Sequence, residues 1–359
     1  MELKPTILGL AIYVAMGLYA LAAGLFIAKA RRPAWVAYGL GFASLAVGWG
    51  WRWDEAGHVP LQNLFEVFLT LGFLMLPITL LGRRFLGVGG EAGDAVIGFI
   101  VLFPAGLVFS AEPRMLPPAL QSVLFVPHVA AYMFAYVIMA KAMVQAIGTY
   151  SVKSRLAMLV YVLPRLALMV YFYAAARHPA TSALAETASP GADVAWSAVG
   201  WPLLPATLLL RDLGLRFFEM GGVWYLGPGV AADLLLWAGI AVLVWRARPL
   251  AMDERLRAER DAHVVARLGF PLLTLGLVLG AVWGKLAWGD YWNWDPKELW
   301  SLVSWLVFVG YFHFRYQYGK RYPRVNASLV TAGLVAILVT LLWVNLGRIF
   351  AGGLHSYAS

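Results

Sequence analysis

Cysteine is missing from this 359-residue chain. That excludes disulfides, thiolate metal sites and any dithiol relay built by the chain itself, so thiol chemistry has to come from another molecule. Charge is also scarce: 13% of side chains are charged, where soluble domains carry about 25%. Acids are the scarcer sign, with 19 Asp and Glu against 28 Lys and Arg. Histidine occurs only six times, so each one can be weighed singly.

Apolar side chains make up 61% of the chain, with a mean hydropathy of +0.72, and a bilayer is therefore the expected solvent. The net charge of +9 could suit nucleic acid, but the basic residues sit in short loops between apolar runs, which is the pattern of membrane topology. The first apolar run, Thr6 to Ala28, is too long for a signal-peptide core, and its basic residues Lys29, Arg31 and Arg32 follow it. It is expected to remain as a first span with the N-terminus outside.

Windows of about 20 apolar residues fit the roughly 30 Å hydrocarbon core. They fall near 6–28, 35–53, 61–81, 95–111, 127–147, 156–176, 228–245, 268–286, 297–314 and 326–346. The expected fold is thus all-α, a polytopic transmembrane bundle of about ten spans with both termini outside. The loops 29–33, 82–94, 148–155, 246–267 and 315–325 hold 17 of the Lys and Arg, and the opposite loops hold 9. The richer side is expected to face the cytoplasm. Pro164 and Arg165 sit inside 156–176, and Lys141 inside 127–147. The whole chain, 1–359, reads as one integral membrane domain. Within it, 177–226 forms an outside insertion whose stretch from Trp201 to Met220 is expected to lie on the membrane surface.

The most unusual segment is 283–300, expected as an outer loop. It carries Trp283, Trp288, Trp292, Trp294 and Trp300 with Tyr291, interleaved with Gly and Asp. Part of it is helix-start grammar: Asp295 as N-cap, Pro296 at the first helical position and Glu298 closing a capping box. An interfacial belt explains two or three rings. The remaining density suits a shelf for a large, flat, apolar ligand. His128 follows Pro127 at an expected helix start, and His355 lies nine residues past the last span, both on the outer side. Two such imidazoles can supply two axial nitrogens to a haem iron, although a merely interfacial or solvated histidine is an equally simple reading of either alone. His313 lies about 22 Å into the span that begins near Glu298, too deep to share that iron. His58 opens the third span and reads as structural, and Glu66, one turn into that span, is the more puzzling buried charge. His178 and His263 read as solvated.

The run 280–300, Gly-Ala-Val-Trp-Gly-Lys-Leu-Ala-Trp-Gly-Asp-Tyr-Trp-Asn-Trp-Asp-Pro-Lys-Glu-Leu-Trp, resembles the "WWD" signature of the haem-handling cytochrome c biogenesis family. Its closing Asp-Pro-Lys-Glu is most similar to the CcsA subunit of the System II cytochrome c synthases. Three further stretches carry the resemblance: 57–66, Gly-His-Val-Pro-Leu-Gln-Asn-Leu-Phe-Glu; Pro127-His-Val with Tyr132 and Tyr136; and Leu354-His-Ser-Tyr357.

The resemblance implies an outer haem site, with haem b as substrate and bound ligand. His128 and His355 would be its axial ligands, with Trp288, Tyr291, Trp292, Trp294 and Asp295 against the porphyrin. It implies that His313 serves an inner iron together with a histidine of a CcsB (ResB) type partner subunit. It implies an apocytochrome c substrate with a Cys-x-x-Cys-His motif and a lyase active only with that partner. The active site would be on the outer, periplasmic or lumenal face of a cytoplasmic or thylakoid-type membrane. The region 154–247 departs from the pattern by an outside segment and two extra spans. Two other functions remain open from the sequence: a haem transporter or chaperone that leaves ligation to another protein, and a bis-haem electron-transfer subunit.

The charge asymmetry makes a testable statement about topology. In this cysteine-free chain, single cysteines placed by Ser356→Cys and Ala258→Cys are expected to react with a membrane-impermeant thiol reagent from opposite sides. Labelling of both from one side would refute the ten-span arrangement.

Overall fold

A computed structural model describes residues 4–150 and 251–343, and every regular element among them is helical. The expected spans 156–176 and 228–245, the segment 177–226, Arg165, His178 and His355 lie outside the described residues.

Eight α-helices result: α1 (Ile7–Ile27), α2 (Arg31–Ala56), α3 (Leu64–Leu86), α4 (Glu91–Leu107), α5 (Phe125–Ile147), α6 (Met252–Trp288), α7 (Pro296–Tyr318) and α8 (Pro323–Leu338). Each overlaps one of the apolar windows read from the sequence. Five of them, α1, α3, α5, α6 and α8 with its continuation to Leu342, are long and apolar enough to cross a membrane. Helix ends follow local chemistry. Thr6 Oγ1 accepts from Gly9 N at 3.0 Å and Asn63 Oδ1 from Glu66 N at 3.0 Å, each relieving an orphan donor of a first turn. Gly57 ends α2 in the left-handed region at φ 69°.

Several boundaries differ from expectation, two of them with a plain physical reason. Residues 252–267, read as loop because of their charge, continue α6, which is 37 residues or about 56 Å long. Their acidic residues Asp253 and Glu254 fall in the first turn, where the helix dipole favours them, so high charge and helix coexist. Helix α5 begins at Phe125, two residues before Pro127; the missing N–H of proline still falls among the unpaired donors of a first turn.

Helix α1 packs on α2 and α4, α3 on α4 and α5, α5 on α6, and α7 on α8. Small residues permit the closest approaches. A Cβ on Gly276 would lie 3.0 Å from the Tyr132 ring, and one on Gly280 would lie 2.6 Å from His128 Cε1, so α6 meets α5 with glycine facing ring.

Charges buried among these helices are paired. Lys141, inside α5, meets Asp94 at 2.5 Å and Gly89 O at 3.0 Å. Glu259 of α6 receives Arg315 of α7 at 2.5 Å and Asn326 of α8 at 2.8 Å. Glu66 finds its explanation in Arg52, with both side chains fully buried. Arg52 donates from Nε and Nη2 to Glu66 Oε1 at 3.0 and 2.8 Å, and from Nη1 to Ala111 O at 2.6 Å. Glu66 Oε2 accepts from Gln62 N at 2.8 Å. One ion pair thus ties the end of α2, the start of α3 and the chain after α4.

Removing one member of a buried pair strands the other charge, at a cost of about 3–5 kcal/mol. Arg52→Met or Glu66→Leu alone is expected to lower the midpoint of unfolding in detergent strongly, and the double variant to lose much less than the two losses summed. Additive losses in that double-mutant cycle would refute the pairing.

Candidate functional site

A cleft opens where the starts of α3, α5 and α7 meet the end of α6. Its walls include Gln62, His128, Tyr132, Trp283, Trp292 and Lys297. The enclosed space is about 180 Å³. Its lining also includes Thr340 and Leu341, which belong to a π turn, Val339–Trp343, continuing α8. Such turns interrupt the regular ladder and re-aim side chains.

His128 stands in the first turn of α5, half-buried, with its N–H closing the bond to Leu124 O at 3.0 Å. Its Nδ1 lies 2.8 Å from Gly276 O. A carbonyl only accepts, so Nδ1 carries the proton and the imidazole lone pair is on Nε2. Ring orientation is fixed by neighbours: Tyr132 meets it edge-on at 5.1 Å and Trp283 at 5.4 Å. Trp283 is buried and anchored by Nε1 donating to Ala119 O at 3.0 Å. A histidine with one nitrogen bonded to a backbone carbonyl and a defined tautomer has the arrangement found in metal-ligating imidazoles.

The tryptophan-rich segment is shorter as a loop than expected. Residues 283–288 form the last turns of α6 and 296–300 the first of α7, leaving 289–295 as the connection. The capping grammar holds: Asp295 is the N-cap and Pro296 the first residue of α7. Glu298 Oε2 accepts from Asn293 N at 2.8 Å and from Asp295 N at 3.3 Å, folding the loop back on the helix. Trp294 sits at φ 57°, a left-handed conformation uncommon for a bulky side chain. Its ring is 69% exposed and stands edge-on to Trp292 at 6.0 Å. Tyr291, 60% exposed, lies beneath the Lys285 ammonium at 5.6 Å.

Of the residues singled out in the sequence, the structure brings His128, Tyr291 and Trp292 to the cleft. Trp288 packs on Trp283 at 5.3 Å, and neither it nor Trp294 is part of the lining. His58 and Glu66 are also elsewhere. His58 Nδ1 bonds Val59 O at 3.0 Å, while Glu66 belongs to the Arg52 pair. His313 is exposed on α7 with Nδ1 bonded to Val309 O at 2.8 Å. His263, expected in a solvated loop, is half-buried on α6 with Nδ1 3.0 Å from the Tyr311 hydroxyl, because that loop is helix. Gln62 and Trp283 were not singled out as site residues. Trp283 could have been found as the first ring of the dense segment; Gln62 gives no sequence signal, since its role depends on the chain across from it.

A family model described as cytochrome C assembly protein matches residues 61–350, a stretch that includes every wall of the cleft. The cytochrome c biogenesis protein CcsA of Synechococcus elongatus is 32% identical over 338 residues, covering 90% of this chain and 87% of the relative. CcsA of Microcystis aeruginosa is 29% identical, covering 89% of this chain and 86% of its own. With the match spanning the cleft and most of the helices, this chain belongs to the cytochrome c assembly family, among relatives that are CcsA cytochrome c biogenesis proteins.

Proposed function

We propose that this membrane protein holds haem b at the outer end of its helices for covalent attachment to apocytochrome c. The observation that carries the reading is His128: its tautomer is set by Gly276 O, and its ring is gripped by Tyr132 and Trp283 at the wall of an aromatic cleft. Neutral imidazole is an iron ligand, and rings accept a flat porphyrin face. Haem is the substrate here. His128 supplies one axial nitrogen and His355 the other, while Trp292 and Tyr291, with Trp288, Trp294 and Asp295 of the same segment, confine the macrocycle. The cleft, at about 180 Å³, lies below the roughly 300 Å³ at which ligand pockets begin, so on this reading it widens as haem enters.

An apocytochrome Cys-x-x-Cys-His segment then presents two reduced thiols. In each addition the sulfur bonds one vinyl carbon and the thiol proton ends on the other, so no oxidant or leaving group is required. The protein contributes position, which replaces a large part of a bimolecular barrier. A chain without cysteine cannot compete with its substrate for the vinyls. The exposed ring of His313, its Nδ1 bonded to Val309 O, is suited to share a second, inner iron with a histidine of a CcsB (ResB) type subunit. The outer, periplasmic or lumenal placement of the cleft rests on the charge asymmetry of the loops.

His128→Ala is expected to leave the protein inserted but to change the bound-haem spectrum and cut cytochrome assembly by at least tenfold, with added imidazole restoring part of both. A packing role predicts no rescue, and a normal spectrum with normal assembly would overturn the proposal. His313→Ala is expected to abolish haem supply from the cytoplasm while haem added from outside still fills the outer site. Loss of the outer site alone would refute the inner role.

A further inference from the structure

Gln62 occupies the connection between α2 and α3 and is almost wholly buried, at 5% exposure. Its Nε2 donates to Met115 O at 3.0 Å, which fixes the amide: the reversed amide would set oxygen against oxygen. Its Oε1 is buried with no hydrogen-bond partner, although the side chain lines the cleft beside His128. An orphaned buried acceptor costs about 1–3 kcal/mol, a cost that a binding site recovers when its ligand brings a donor.

The chemistry of the reactants says which of them fits. Metallated porphyrin has no N–H to give. Its propionates are ionised at neutral pH and are repelled by an amide oxygen. Among the molecules of the proposed reaction only the cysteine-bearing polypeptide carries donors, and a backbone N–H is a much better donor than a thiol. We infer that Gln62 is a substrate-positioning residue whose Oε1 accepts a backbone N–H from the apocytochrome segment as it enters the widened cleft. This rests on the haem-attachment reading above. It adds that residues 61–63 are the polypeptide's wall of the site, while the tryptophan-rich segment is the porphyrin's.

The test uses the purified full-length protein loaded with haem and titrated with a synthetic Cys-x-x-Cys-His peptide. Gln62→Met removes both amide functions, whereas Gln62→Glu keeps an acceptor. The methionine variant is expected to keep the wild-type haem spectrum and haem affinity and to bind the peptide about 3- to 10-fold more weakly, as for one lost hydrogen bond. The glutamate variant is expected to bind it within about 2-fold of wild type. The methionine penalty is expected to persist with a peptide whose cysteines are alanine, since the donor is backbone.

Equal peptide affinity in all three proteins would mean that Oε1 meets water only and would overturn the inference. Equal weakening in both variants would assign Gln62 to its bond with Met115, and loss of haem binding would assign it to haem; each overturns the inference. A penalty confined to the thiol-bearing peptide would overturn the backbone assignment. Absence of any haem spectrum in the wild-type protein would instead refute the haem reading, and the inference would fall with it.

Discussion

The approach of α5 to α6 is the contact on which the cleft depends. A Cβ on Gly280 would clash with His128 at 2.6 Å and one on Gly276 would crowd Tyr132 at 3.0 Å, so glycine at both positions lets these rings lie against the α6 backbone. That closeness gives His128 its bond to Gly276 O, which sets the tautomer, and it brings Trp283 against the imidazole. In an apolar solvent helices gain little from hiding hydrocarbon, so packing at small residues and hydrogen bonds between helices decide their arrangement. Here one contact does both.

Paired charges perform a second task that solvent cannot perform in such an interior. Arg52 with Glu66 gathers the connections at the end of the helices where the cleft opens, and it orders the loop that carries Gln62. Glu259, Arg315 and Asn326 join α6, α7 and α8 some 30 Å away along α6. The two networks hold opposite ends of the bundle. Trp294 in the left-handed region and Glu298 drawing back two loop amides show a connection under constraint, as is common where a ligand is clasped.

The lining of the cleft follows from these elements. Rings from α5, α6 and the 289–295 connection line the cleft together with Leu61, Gln62, Asn63, Leu64 and Val67 at the start of α3. On the proposed reading, a flat apolar ligand and a polypeptide make different demands on such a cleft, stacking area for one and hydrogen bonds for the other. The family match, 61–350, covers this lining.

The helices were legible in the sequence because a bilayer asks for long apolar runs, and eight of the ten windows overlap the eight described helices. Family membership was legible as well, because the tryptophan-rich run and the Asp295–Glu298 cap are contiguous signals. What depended on residues far apart in the chain was not. Glu66 remained unexplained until Arg52 lay beside it, and His263 read as solvated until α6 absorbed its loop. The tautomer of His128 is decided by a carbonyl 148 residues away, and the unsatisfied oxygen of Gln62 by Met115, 53 residues away. The sequence by itself determined where the apolar helices run and which residue types gather near one loop, since periodicity, caps and composition act over a few residues, but it read the charged start of α6 as loop. The tertiary structure alone decided which nitrogen carries a proton, which charge is paired and which acceptor is left waiting, because those are properties of contacts between helices.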